Sequence, residues 1–129
     1  AMRKIVQADH RKEWNQLFYK NDFQSPLTKE EAGVLEFPLE MVRLGPSASN
    51  KQPWRILLKG NACHFYEHKE PGCSDRFSYD IQRIDMGIAA AHFDFSVKEK
   101  GIKGYFDITC EPALDLPDHI EYAFSWIRE

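Results

Sequence analysis

The chain has 129 residues, enough for one domain and too few for two of ordinary size. Hydrophobic residues make up 43% of the sequence and aromatic residues 13%, which excludes a wholly disordered protein. The formal net charge of -3 lacks the basic excess of a dedicated nucleic-acid-binding protein, and no apolar run reaches the roughly 18 residues that a membrane helix needs. We therefore expect one globular domain that binds neither nucleic acid nor a membrane.

Three cysteines, Cys63, Cys73 and Cys110, form an odd set, whereas a secreted disulfide scaffold normally carries an even number. No signal-peptide pattern opens the chain, and we interpret Ala1 before Met2 as the remnant of a removed tag. These features predict reduced thiols and a cytoplasmic protein.

The first predicted element is a helix over residues 9–20 with Asp9 as its N-cap residue. Residues 21–26 are polar and predict a turn. Thr28 and Glu31 have the capping-box spacing, in which each side chain bonds to the other residue's backbone, so a second, short helix is expected there. The apolar face of the first helix is formed by Trp14, Leu17 and Phe18.

A third helix is predicted after the second one. Gly33 weakens the second helix and Pro38 stops it, while Pro38 also suits the first turn of the helix that follows. Gly45 fits the C-terminal cap of that third helix, and residues 46–53 then form a loop by composition.

Two strands joined by a tight turn follow the loop. Residues 55–59 contain the apolar run Ile56, Leu57 and Leu58 and predict a strand. Gly60-Asn61 is a two-residue hairpin signal, and residues 62–67 pair back as the second strand. Residues 68–74 are expected to form another loop.

Residues 79–100 form the longest periodic segment and predict a helix capped by Ser78 and ended by Gly101. Its apolar face is so broad that we expect the helix to be buried, and its small residues would let another backbone approach closely. One apolar stripe contains Ile81, Ile84, Ile88, Ala91 and Phe95, and a second set, Met86, Ala90, Phe93 and Val97, widens it.

The last two predicted strands cover residues 104–110 and 122–128, with a proline-bearing link over residues 111–119. The predicted order is therefore two or more helices, a hairpin, a long helix and two strands. Helices and strands that follow one another in this way indicate an α+β fold with antiparallel strands in a sheet packed with helices.

The loop over residues 46–53 is the most informative stretch for function. It contains Ser47, Ser49, Asn50 and Gln52 between two prolines, so a restricted backbone carries both hydrogen-bond donors and acceptors. Such a loop suits a heteroaromatic ligand with alternating hydrogen-bonding groups. A solvated connection with no ligand is the alternative, because polar residues and prolines are the ordinary content of loops.

The segment Arg43-Leu-Gly-Pro-Ser-Ala-Ser-Asn-Lys-Gln-Pro-Trp-Arg55 resembles the Pro-Ser-Ser-x-Asn-x-Gln-Pro-Trp segment of FMN-dependent nitroreductases. Ile84-Asp-Met-Gly-Ile-Ala-Ala-Ala-His-Phe93 is similar to the small-residue central helix of that family. The resemblance implies a nitroreductase-like domain over residues 28–129, preceded by an N-terminal helix and lead-in over residues 2–27.

The resemblance also implies a function. FMN would be the cofactor, NAD(P)H the reductant, and a small nitroaromatic or quinone-type molecule the acceptor. Gln52 and Trp54 are expected to hold the loop in shape. No catalytic side chain is predicted, because the flavin would supply the chemistry. No metal site is predicted, because His64, His68 and Cys73 have only a loose metal-like spacing. The residues predicted to bind the cofactor are Pro46, Ser47, Ala48, Ser49, Asn50 and Gln52.

The sequence is most similar to the C-terminal half of a subgroup in which two nitroreductase-like halves share one chain. This resemblance implies a homodimer, or a pseudo-dimer with another such half. The Arg-x-Ser-x-Arg motif that binds the FMN phosphate in the family has no match here, and Arg3-Lys4 lacks its spacing. The alternative function is therefore a non-catalytic dimerisation or flavin-binding half-domain without a complete active site.

Overall fold

The computed structural model describes residues 11–47, 50–69 and 81–129. Strands occur in consecutive pairs between the helices, and a short 3-10 turn joins the second and third helices. In chain order the elements are α1 (Trp14–Leu17), β1 (Phe18–Lys20), β2 (Asp22–Pro26), α2 (Lys29–Ala32), the 3-10 turn (Gly33–Leu35), α3 (Glu36–Arg43), β3 (Trp54–Lys59), β4 (Ala62–His68), α4 (Ile81–Glu99), β5 (Gly104–Asp107) and β6 (Ile120–Arg128).

Six strands form one sheet in the order β2-β1-β3-β4-β6-β5. Strands β1 and β3 run parallel, and the other neighbouring pairs are antiparallel. The predicted hairpin is confirmed: Trp54 pairs with Glu67 at one end and Lys59 with Ala62 at the other, and Gly60 takes the positive φ of 60° that this tight turn requires. The α+β prediction, with antiparallel strands packed against helices, is thus confirmed.

The predicted N-terminal helix over residues 9–20 is wrong at both ends, because residues 11–13 are not helical and the helix stops at Leu17. The helix α1 is one turn long, and Glu13 and Gln16 close a capping box at its start. Residues 18–20 form β1 instead, because Phe18 pairs in parallel with Ile56 of β3 and tertiary pairing outweighs local helical spacing. The N-cap predicted at position 9 lies outside the described residues.

The turn predicted over residues 21–26 is also wrong. Asn21 alone makes the reversal, at a φ of 69°, and β2 then pairs antiparallel with β1. Pro26 is tolerated there because β2 is an edge strand, where the missing backbone N–H of proline need not interrupt the hydrogen bonds to a neighbouring strand. Leu27 then enters the core, and its carbonyl accepts a hydrogen bond from the indole nitrogen of Trp14 at 2.7 Å.

The predicted capping box at Thr28 and Glu31 is confirmed. The Glu31 amide donates to Thr28 Oγ1 at 3.1 Å, and the Thr28 amide donates to the Glu31 carboxylate at 2.9 Å. These hydrogen bonds, with one from Lys20, lower the pKa of Glu31. Pro38 lies in the first turn of α3 as predicted, and the Gly45 amide closes the end of α3 on the Val42 carbonyl at 3.0 Å.

Helix α4 confirms the long predicted helix over residues 81–99, but a different face of it is buried. The predicted cap Ser78 and residues 79–80 lie outside the described residues. Ile84 and Phe95 of the predicted stripe are 53% and 75% exposed. The helix packs on the sheet and on α3 through positions that combine part of the second apolar set with polar residues. The buried residues of α4 are Gln82, Asp85, Met86, Ala89, Phe93, Ser96 and Val97.

The core lies between the helices and one face of the sheet. Phe65 of β4 and Trp126 of β6 both contact the ring of Phe93 of α4, with centroids 5.3 and 5.1 Å apart. Successive residues of a strand point to opposite faces, so His64 and Tyr66, which flank Phe65, point to the face away from the helices. All three are buried, and β4 is therefore covered on both faces.

The two C-terminal strands differ in length from the prediction. Strand β5 ends at Asp107, where the aspartate side chain accepts from the Thr109 amide at 2.6 Å and turns the chain away from the sheet. Strand β6 begins at Ile120, two residues earlier than predicted.

In the described part of the chain, no helix is long and apolar enough to cross a membrane.

Candidate functional site

The loop that joins α3 to β3 is held in place by Gln52. Its side chain is fully buried and bridges two other parts of the chain. The Nε2 group donates to the Arg43 carbonyl at the end of α3 at 2.9 Å, and Oε1 accepts from the Lys12 amide at 2.6 Å. The Gln52 amide donates to Ser47 Oγ at 2.9 Å, which closes the loop on itself.

Two left-handed residues tighten this loop. Asn50 and Gln52 have φ values of 54° and 48°, a conformation that non-glycine residues adopt only when their surroundings impose it. The Asn50 amide donates to the Ser47 carbonyl at 3.1 Å. The guanidinium of Arg55 donates to the Gln52 carbonyl at 2.8 Å and fixes the exit of the loop into β3. The described part of the loop, residues 46–47 and 50–53, is thus preorganised by hydrogen bonds.

The structure places the predicted cofactor-binding residues unequally. Pro46 is exposed, Ser47 and Asn50 are half-buried, and these three lie together on the outer part of the loop. Gln52 points inward, and both ends of its amide are bonded to protein, which agrees with the expected role in holding the loop in shape. Ala48 and Ser49 lie outside the described residues, and the flavin contact predicted for the loop stays a prediction.

Trp54 supports the loop from the first position of β3. Its side chain is fully buried in the main core, next to the buried Pro53. The Pro53 carbonyl accepts from the His68 amide at 2.7 Å, so the base of the loop is also tied to the end of β4.

The arginine side chain nearest the start of the loop is engaged by other groups. Arg43 makes a two-bond ion pair with Glu40 at 2.7 and 2.8 Å, and its third contact is the Lys12 carbonyl at 3.2 Å. The hydrogen bonds from Arg43 lower the pKa of Glu40, and the hydrogen bond to Glu40 raises the pKa of Arg43. Lys51, which is exposed, is the cation that the loop itself carries.

A polar stripe lies on the side of α4 near this loop. His92 packs against Gly45: a Cβ atom at position 45 would lie 3.3 Å from His92 Cδ2 and 3.2 Å from the Val42 carbonyl. The loop therefore begins at a residue whose missing side chain lets α4 approach. In the sequence, this stripe is visible as the helical spacing of four polar residues that share one side of α4: Gln82, Asp85, His92 and Ser96.

Two of the three residues with a loose metal-like spacing, His64 and His68, lie in the described part of the chain. His64 Nδ1 is 2.6 Å from Ser125 Oγ, and Cys73 lies outside the described residues. Over residues 11–47, 50–69 and 81–129, no group of three or more His, Cys, Asp or Glu side chains is arranged to hold a metal ion.

A comparison with protein-family models shows the family of this chain. The family model described as "Putative TM nitroreductase" matches residues 2–97, about three quarters of the chain. The chain belongs to this nitroreductase family. The match includes both the loop that follows α3 and most of α4, the two segments in which the sequence resembles nitroreductases. A search of curated proteins found no match.

Solved structures show the same nitroreductase-like fold. Nitroreductase CinD from Lactococcus lactis in complex with 4-nitrophenol superposes with a TM-score of 0.61 and 17% identity, over 97% of this chain and 87% of that one. The same enzyme in complex with nicotinic acid gives a TM-score of 0.61 and 16% identity over the same shares. Family membership supports nitroreductase-like oxidoreductase activity, and the structural likeness supports the fold.

Proposed function

We propose that this chain is an FMN-dependent reductase that uses NAD(P)H to reduce a small nitroaromatic or quinone-type acceptor. The observation that carries the proposal is the hydrogen-bonded arrangement of Ser47 and Gln52, which occurs in a nitroreductase-family chain at the position where the family motif holds the flavin. The absence of any predicted nucleophile or acid–base pair agrees with such chemistry, because the flavin supplies it. We also propose a cytoplasmic location.

The outer part of the loop fits the polar edge of a flavin ring. Ser47 and Asn50 offer hydroxyl and amide groups, and hydrogen bonds from the Gln52 and Asn50 amides to Ser47 already hold these positions, so less conformational entropy is lost on binding. Gln52 would act indirectly by holding this geometry. A bound flavin would accept hydride from the nicotinamide and deliver electrons to the acceptor, and the protein would orient the ring and exclude water.

The phosphate end of FMN has weaker support. A phosphate with nearly two negative charges is normally held by charge-assisted hydrogen bonds. Arg43 is committed to Glu40 and the Lys12 carbonyl, while Arg55 bonds to the Gln52 and Trp54 carbonyls. Lys51 is exposed in the loop. We therefore propose that the isolated chain binds FMN weakly and turns over slowly, and that a second half or subunit completes the phosphate site.

The engagement of Arg43 and Arg55 by protein groups also favours the second candidate function, a non-catalytic dimerisation or flavin-binding half-domain. The two candidates differ in whether a partner half restores activity. In both, association is expected through the exposed side of α4. Ile84 and Phe95, 53% and 75% exposed, lie on the same stripe as the half-buried Ile88, and contiguous apolar patches on a soluble protein mark interfaces.

The test of the proposed function is an FMN titration of wild type and Asn50→Ala, followed by NAD(P)H oxidation with 4-nitrophenol, the compound bound in the CinD structure. Loss of one hydrogen bond to the ring should weaken FMN binding roughly fivefold, for about 1 kcal/mol. Asn61→Ala is the matched control, because Asn61 is exposed in the turn at the opposite end of β3. Equal titration curves for wild type and Asn50→Ala would remove the loop from the flavin site.

A further inference from the structure

A cavity of about 390 Å³ opens on the sheet face to which Tyr66 points, away from α3 and α4. Arg55 of β3 and His68 of β4 line it, because Arg55 pairs with Tyr66 and alternate residues of β4 share a face. Tyr19 of β1 and Phe23 of β2 line it from the side. In the described part of the chain, no residue predicted to bind the cofactor lines this cavity, so it is a separate candidate site.

Two aromatic rings form one wall of the cavity. The centroids of Tyr19 and Phe23 lie 5.2 Å apart, with an angle of 57° between the ring planes. Phe23 also packs edge-on against the fully buried Tyr66 at 4.9 Å, so its ring is held from behind. Both Tyr19 and Phe23 are half-buried, and part of each ring faces the cavity. A planar aromatic molecule would meet these rings in the offset or edge-on arrangements that aromatic pairs prefer.

Arg55 places a permanent positive charge in the same cavity. Its Nη1 group donates to the Gln52 and Trp54 carbonyls at 2.8 Å each, and the side chain is half-buried. The two carbonyls carry no charge, so these bonds fix the guanidinium without neutralising it, and the planar group has donors on its other nitrogens as well. Its charge is felt within the cavity: burial raises the pKa of Tyr19, and Arg55 acts in the opposite direction.

The acidic residue in the cavity lining is Asp118, which opposes an anionic ligand. Asp118 is exposed, so water screens its carboxylate strongly, whereas the charge of the half-buried Arg55 is screened less. His68 adds a second positive charge when its ring is protonated. The balance of charges therefore favours an anionic group at Arg55.

The cavity has room for more than one ring. It continues past Phe23 and Pro117 into a groove of about 900 Å³ between β2 and residues 113–117. Pro117 and Ile120 add apolar surface to the lining. Both volumes lie within the range of about 300–1,000 Å³ that is typical of small-molecule sites in proteins. A two-ring molecule would thus fit with its anionic group at the Arg55 end.

We propose that this cavity binds a small planar aromatic carboxylate, with the carboxylate at Arg55 and the rings against Tyr19 and Phe23. A carboxylate suits this position because its two oxygens match the planar donor geometry of a guanidinium. The proposal goes beyond the proposed reductase function and does not depend on flavin binding.

The experiment measures binding of 2-naphthoate to the full chain by isothermal titration calorimetry. The uncharged 2-naphthamide has the same two rings, so the comparison isolates the contribution of the carboxylate. We expect 2-naphthoate to bind roughly tenfold tighter or more, the ratio expected for hydrogen bonds to a charged group. Equal affinities for the two compounds, or no measurable binding of 2-naphthoate, would overturn the proposal.

Two charge variants test the role of Arg55. Arg55→Gln removes the charge and keeps a side-chain N–H donor, so the preference for 2-naphthoate should disappear. Lys59→Gln is the matched control, because it removes an exposed cation from the same strand outside the cavity, and the preference should remain. A preference that survives in Arg55→Gln contradicts the proposal.

Three further variants locate the site without disturbing Arg55. Asp118→Asn, at an exposed position, should tighten 2-naphthoate binding roughly two- to fivefold and leave 2-naphthamide unchanged. Phe23→Ala should weaken both compounds alike. Asn50→Ala, in the loop proposed to bind the flavin, should weaken neither. Unchanged 2-naphthoate binding in Asp118→Asn and Phe23→Ala, or loss of binding in Asn50→Ala, would place the compound elsewhere and refute the assignment.

Discussion

Replacing Gln52 by leucine should cost the protein about 2–4 kcal/mol of stability. Leucine fills nearly the same volume, but it removes the bonds from the Lys12 amide at 2.6 Å and to the Arg43 carbonyl at 2.9 Å. The side chain is fully buried, so each abandoned backbone group loses its partner where water does not readily replace it, at about 1–3 kcal/mol per group. The lower half of the summed range is expected, because Lys12 and Arg43 are only partly buried.

The assay is urea unfolding, with stability read from the midpoint at constant m-value. Gln24→Leu, an exposed glutamine on the edge strand β2, is the matched control and should change stability by less than about 0.5 kcal/mol. Gln52→Glu keeps the acceptor for Lys12 but sets a buried carboxylate oxygen against the Arg43 carbonyl, so its midpoint should fall at least as far as that of Gln52→Leu. A Gln52→Leu protein as stable as the control would refute the idea that Gln52 organises the loop.

Three further results are expected. Gly104→Ala should destabilise the fold by about 1–3 kcal/mol in urea unfolding, because the added methyl group would overlap the Trp126 ring, and wild-type stability would contradict this packing. Phe95→Asp should convert a sedimenting dimer into a monomer, and a wild-type monomer at micromolar concentration would remove the interface. Because burial and Lys59 lower the pKa of His64, the unfolded chain takes up the proton first, so the free energy of unfolding should decrease as pH falls below about 6.5, and His64→Gln should flatten that decrease.

Local signals in the sequence were sufficient for several elements. The Gly60-Asn61 turn, the capping box at Thr28 and the C-terminal end of α4 each depend on residues within a few positions of one another, and all were predicted correctly. Strand β1 could not be read in this way, because Phe18 becomes extended only when Ile56, far along the chain, provides a ladder partner.

The candidate site was predictable in composition and not in geometry. Prolines and polar residues identified the loop, but the amide of Gln52 finds its partner at Lys12, 40 residues away. His64 similarly meets Ser125 across 61 residues. The exposed face of α4 was misjudged because spacing indicates which residues share a side and leaves open which side meets the sheet.

The parallel pairing of β1 with β3 has a consequence for the order of folding. The β3–β4 hairpin closes over two residues, whereas β1 can join β3 only after residues 21–53, a span of 33, have closed as a loop. Closing the longer loop costs about 2.5 kcal/mol more free energy, because the entropic cost grows as one and a half RT times the logarithm of the ratio of the two loop lengths. We expect the hairpin to nucleate the sheet and the ribbon formed by β1 and β2 to dock later. Because Lys12 lies just before that ribbon and bonds to Gln52, the loop after α3 would reach its final shape only in this last step.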